Sequence, residues 1–225
     1  MQCNGRKFPG VLVTYKPNAS FTGEDQFGLD VIWPNGNSVK RNNWALEPRL
    51  IGTKNLMIGT GYVKCMARYN RWQNDNLYSC ADRLTDEARR QERGAFLGSI
   101  HGTLNHLLWA DEIWMSRFWG TPRPKAGIPE SSSLRANWDE LKRDRAAFDE
   151  RIIEWGDEID DIALAGDFTY YSGAAKRDLT KPKWLLITHV FNHQTHHRGQ
   201  VHCMLTQAGI RPGDTDLPFL RDQAA

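Results

Sequence analysis

The chain has 225 residues, 40% hydrophobic, 25% charged and 11% aromatic, and its 29 basic and 27 acidic side chains leave a net charge of +2. That is the make-up of a soluble globular protein; it excludes nucleic-acid binding by bulk charge and leaves only a local basic patch open. Apolar runs such as residues 184–187 fall far short of the ~20 needed to span a bilayer, and the first 16 residues hold only Val11-Leu12-Val13 where a secretory signal carries an apolar stretch of about 7–15.

The first 56 residues read as β and turn. Phe27, Leu29, Val31 and Trp33 alternate with Gly28 and Asp30, lapsing at Ile32, and Asn35-Gly36 follows as a tight hairpin turn. Pro9-Gly10, Pro17-Asn18 and Thr22-Gly23 are further breakers. The stretch Val13-Thr14-Tyr15-Lys16-Pro17 with Phe21 to Phe27 resembles a strand-turn-strand unit of bacterial Ig-like or cadherin-like repeats. A whole sandwich needs about 100 residues, so this is at most a fragment.

From about residue 57 the period becomes helical. Tyr62, Met66, Tyr69, Trp72 and Leu77 mark one face of a helix of about 24 residues. Thr85, followed by Asp86-Glu87, is an N-cap signal. A long helix is expected over residues 96–119, stopped by Gly120 with Pro122 and Pro124 beyond. Ser131-Ser132-Ser133 leads into a third helix over 135–159, and 166–182 read as an irregular excursion containing a short hairpin. The last helix covers 182–208 and closes at Gly209. The expected fold is therefore mainly α, a four-helix bundle over residues 57–225 behind a β/turn-rich extension over residues 1–56.

All seven histidines follow position 100, and His189, His193, His196, His197 and His202 fall within fourteen positions. His193 and His197 lie one turn apart on one face, so two imidazoles can meet one divalent ion; His189, His196 and Gln200 share the arc, and His202 points away. A third ligand must come from another helix, and mid-helix His106 leads, with His101 turned away from it. The alternative is a solvated or merely hydrogen-bonded histidine face. A zinc-protease mechanism is excluded, because Gln194 stands where HExxH needs its glutamate base. No GxSxG occurs, and Cys3, Cys65, Cys80 and Cys203 form no CxxC; reduced thiols and a cytoplasmic location are expected.

Three segments carry a family resemblance: Tyr69-Asn70-Arg71-Trp72-Gln73-Asn74, then Ser99-Ile100-His101-Gly102-Thr103-Leu104-Asn105-His106-Leu107-Leu108-Trp109-Ala110-Asp111, then His189-Val190-Phe191-Asn192-His193-Gln194-Thr195-His196-His197-Arg198-Gly199-Gln200-Val201. Over residues 57–220 the chain resembles the DinB family of damage-inducible four-helix bundles, which is distinct from the translesion polymerase sharing that label. The resemblance implies a homodimer and a divalent metal, zinc or nickel, held by His106, His193 and His197. Residues 1–56 lie outside the resemblance and are expected to be dispensable for the metal site.

Three neutral nitrogen ligands leave coordination positions open, the pattern of a catalytic rather than a structural site. The wider superfamily resembled here includes thiol-dependent transferases, so a low-molecular-weight thiol attacking a small electrophile is one expectation. A metal-dependent hydrolase and a non-catalytic metal-binding stress protein are the others. No catalytic base stands out. Asp111 and Glu112 are either orienters of the site or solvated helix charges; Arg117 and Arg198 either hold an anionic group or pair with Asp111; Gly199 either admits a close helix or is simple packing. The nine tryptophans are expected in the core, some of them at a dimer contact. Residues 1–56 carry 7 basic and 4 acidic side chains against 22 and 23 in the rest, so the slight basicity sits outside the bundle and neither nucleic acid nor membrane is expected as a partner.

Overall fold

The structure, a computed structural model, describes residues 25–32, 38–46 and 57–220. By its contacts the chain divides into two units, Met1–Gly52 and Thr53–Ala225. In the first, strand β1 (Asp25–Ile32) pairs antiparallel with β2 (Ser38–Leu46), Asp25 opposite Leu46 and Ile32 opposite Ser38, with an irregularity between Phe27 and Leu29. The Asn35-Gly36 turn and the segment likened to an Ig-like repeat before residue 25 lie outside the described residues.

The second unit is a four-helix bundle. Its long helices are α1 (Thr60–Ala81), α3 (Ile100–Phe118), α4 (Trp138–Glu158) and α6 (Lys183–Gln207); α2 (Asp86–Arg90) and α5 (Asp161–Leu164) are single turns between them. Helix α1 packs on α4 and α6, and α3 packs on the same two, which closes a ring of four around one core. No helix among the described residues is long and apolar enough to cross a membrane.

The caps explain the boundaries. Thr85 accepts from the Ala88 amide as expected, and Asn137 accepts from the Glu140 amide, so α4 starts at Trp138 rather than 135. Helix α3 begins four residues later than its apolar pattern suggests. Gly98 adopts φ +76°, turning the chain out of the helical path, and Ser99 then caps the helix by accepting from the Gly102 amide at 3.0 Å. Gly102 is required there: a Cβ would lie 2.6 Å from the Leu97 carbonyl oxygen.

Helix α3 is the central element, buried at every position from 100 to 111. Apolar Leu104, Leu107 and Leu108 meet Val63, Leu77, Leu141, Ile152, Phe191 and Val201 from the other three helices. The excursion after α4 resolves into a hairpin, β3 (Asp167–Ser172) with β4 (Arg177–Pro182). Aromatic contacts seat it on the bundle: Phe168 meets Phe118 edge-on, and Tyr170 meets Trp114 at 5.2 Å. Trp109, Trp114, Trp138 and Trp155 are buried, as expected of core tryptophans.

His101 is a core residue. Its Nδ1 lies 3.1 Å from the Asn105 amide nitrogen, and burial, with the Arg90 charge beside it, pushes its imidazole down to about 4. Unfolding exposes an imidazole that takes up a proton below pH 6.5, whereas the folded chain refuses it until about pH 4. This contribution to stability is therefore complete above pH 6.5 and is lost as pH falls toward 4. The loss is on the order of 3 kcal/mol. Urea titrations of the protein and of His101→Gln at pH 7 and pH 4.5 should show a smaller pH-dependent fall for the variant.

Candidate metal centre

Three imidazoles from two helices converge. His193 and His197 project from one face of α6, and His106 meets them from α3; one ring nitrogen of each lies within 4.8 Å of the other two. His106 Nε2 and His193 Nε2 are 3.3 Å apart. Two nitrogens bound at about 2.0–2.1 Å to a tetrahedral ion are separated by about 3.3 Å, so this pair is already at ligand spacing.

The outer nitrogens fix the tautomers. The Ser131 hydroxyl donates its one proton to the Ile128 carbonyl at 2.7 Å, so its oxygen accepts from His106 Nδ1–H at 2.8 Å. His197 Nδ1–H donates to the Gln200 amide oxygen at 2.8 Å. In both rings the proton is committed outward, which leaves the Nε2 lone pair facing the cluster. Burial, together with the neighbouring imidazoles, pushes His106 down to about 4 and His193 to about 3, and burial lowers His197 as well. All three rings are neutral at pH 7, the form that binds a metal.

Ser131 is the residue that sequence reasoning missed. It lies 1% exposed in the single 3₁₀ turn Ser131–Ser133 between α3 and α4. The serine triplet was the only signal, and it reads as a helix lead-in. Trp109 also belongs here: its indole stacks on His106 at 5.5 Å and donates to the Ala126 carbonyl at 2.8 Å, pinning the same connection. Ser131→Ala should weaken metal binding by roughly 10-fold while the fold survives, as competition with a chromophoric chelator would measure.

The remaining histidines stay outside the cluster. His189 is exposed, with its ring edge-on to Trp114 at 5.4 Å. His196 is exposed beside Gln200, and half-buried His202 is not part of the group.

Other expectations need correction. Asp111 is neither a solvated charge nor a partner of the triad's rings: it is 0% exposed and ion-paired to Arg145 at 2.8 Å. Glu112 pairs with Arg135. Arg198 is buried and bonds Asn70 at 2.5 Å, and burial lowers it to about 10. The Arg117 guanidinium lies 4.5 Å over Trp114 and 4.6 Å over Tyr170 and donates to the Tyr171 carbonyl. Neither arginine's hydrogen bonds reach Asp111. Among the described residues nothing lies within 4 Å of where a Gly199 Cβ would stand, so no close helix contact depends on this glycine. Cys65 and Cys203 are exposed free thiols and Cys80 a buried one.

The model of the DinB family matches residues 56–224. Protein DinB of Bacillus subtilis (strain 168) is 29% identical over 163 residues, which cover 66% of this chain and 87% of that protein. Among solved structures, a DinB-like protein from Bacillus cereus ATCC 10987 aligns with a TM-score of 0.48 at 20% identity, over 64% of this chain and 90% of that one.

Proposed function

Because this chain belongs to the DinB family, we propose that its three-histidine cluster binds a divalent metal, zinc or nickel, and supports transfer of a low-molecular-weight thiol to a small electrophile. The observation that carries the reading is the paired tautomer lock. Ser131 and Gln200 hold the Nδ1 protons of His106 and His197, so the Nε2 lone pairs of both rings face the cluster, and His193 Nε2 stands at ligand spacing, 3.3 Å, from that of His106.

Bound to three neutral nitrogens, a divalent ion would keep its full charge and an open position, and would ionise a thiol or a water near neutral pH. The residues do the rest. Ser131 and Gln200 orient the ligand rings, and the stacked Trp109 walls one side of His106. Among the described residues, the group at ligand spacing consists of three imidazoles and holds no carboxylate. A cation held by neutral ligands alone favours an anionic ligand such as a thiolate, and the absence of a carboxylate from the group makes the hydrolase reading the weaker one. The same proposal takes the working state as a cytoplasmic homodimer, which light scattering and cell fractionation test.

The test begins with metal analysis of the purified protein. The zinc- or nickel-loaded form is then assayed for conjugation of several thiols to an aryl halide, and for ester hydrolysis. Metal-dependent conjugation absent from His193→Ala is the expected result. Ester hydrolysis without conjugation would establish the hydrolase, and inertness toward every thiol would establish the metal-binding protein without turnover.

A further inference from the structure

A polar layer crosses the bundle next to the triad, and all four long helices contribute to it. Asn74 of α1 donates to Asp149 of α4 at 2.9 Å. Arg145 of α4 bridges Asp149 and Asp111 of α3, each at 2.8 Å. Gln194 of α6 donates to Asp111 Oδ1 at 2.5 Å, and Arg198, one turn on, to Asn70 of α1. Every one of these side chains is buried.

Gln194 joins this layer to the histidines. It follows His193 in sequence, and its amide nitrogen also donates to the carbonyl of Leu107, the residue after His106, at 3.1 Å. The clamp between α3 and α6 thus closes on the immediate neighbour of a triad histidine on each helix. At about 100° per residue, the position after His193 turns inward, so the side chain that would be a protease's general base faces the core here.

We propose that Gln194, braced by Asp111 and Arg145, is a positioning residue: it sets the register between α3 and α6 on which convergence of His106 with His193 and His197 depends. The inference rests on the metal-centre reading. A slip of one residue moves a helix by about 1.5 Å along its axis, enough to separate nitrogens now 3.3 Å apart. Apolar contact between helices is non-directional and resists such a slip weakly. A buried amide nitrogen whose two acceptors, an α3 carbonyl and an α3 carboxylate, stand one turn apart resists it strongly. Setting register is the best-attested role of buried polar groups, and Arg145 holds the Asp111 carboxylate in place.

The test compares Gln194→Leu and Gln194→Met with Val201→Ala, which removes a fully buried side chain of the same helix outside both the triad and the polar layer. Zinc affinity is read by chelator competition and ligand geometry by the visible spectrum of the cobalt(II)-loaded protein. Both Gln194 variants should bind zinc about 10–100-fold more weakly and shift the cobalt spectrum, while Val201→Ala lowers the melting temperature and keeps both readouts. Should the leucine variant not fold, the unbranched methionine variant carries the measurement. Gln194 variants that match Val201→Ala in affinity and spectrum would overturn the assignment. A wild-type protein that binds neither ion would instead refute the metal-centre reading beneath it.

Discussion

His193→Ala should leave the protein folded and without metal. Each of the three rings faces the other two, and that of His193 lies with its centroid 5.2 Å from His106 and 4.6 Å from His197. Removing it leaves two nitrogens from different helices, and the loss of affinity should exceed the roughly 10–100-fold typical of an outer hydrogen-bond partner. The cleanest measurement is thermal. A ligand present at about 1,000 times its Kd stabilises the folded state by about 4 kcal/mol, so zinc should raise the melting temperature of the wild type and not that of His193→Ala or His106→Ala. His202→Ala should respond as the wild type does. Removal of metal by His202→Ala and retention by His193→Ala would refute the assignment.

Arg145→Met should be the most damaging single change to stability, at about 3–5 kcal/mol. The guanidinium is 2% exposed and bridges two carboxylates that are themselves at most 1% exposed. Burial works against its charge, but Asp149 and Asp111 outweigh burial and hold it firmly protonated. Methionine fills much of the volume and removes the ion-pair partner of both carboxylates. Burial already pushes Asp111 and Asp149 up, and without Arg145 they would rise further. The deficit in urea titrations should accordingly narrow as pH falls and the carboxyls take up protons. A loss under 1 kcal/mol at pH 7, or one that widens in acid, would contradict this account of the polar layer.

What the sequence made legible is local. Apolar spacing and punctuation locate the four long helices to within a few residues. The four-residue interval of His193 and His197 places both on one face. His106 emerged because a bundle must complete such a pair from another helix. The rest depends on partners distant along the chain. Arg145 looks like one more charge on a charged helix until α3 brings Asp111, 34 positions earlier, against it. Gln194 is legible only as a missing base, because its work is done on Leu107 and Asp111, 87 and 83 positions away. Ser131 belongs to a turn with no periodicity, 25 residues from the histidine it orients. The register of α3 against α6 is not a property of either helix alone.

Helix α6 alternates its duties residue by residue: His193 and His197 turn to the cluster, while Gln194 and Arg198, directly after them, turn to the core. Reshaping the centre from within that helix therefore disturbs the clamp that holds it. The connections around it are freer. The turn before α3 presents Phe96, 82% exposed, 6.5 Å from the His197 ring, and the stretch between α3 and α4 borders His106 through Ser131. New preferences for one small molecule over another can be written into those two borders with the helices left as they are, which makes them the place to begin in redesigning this protein.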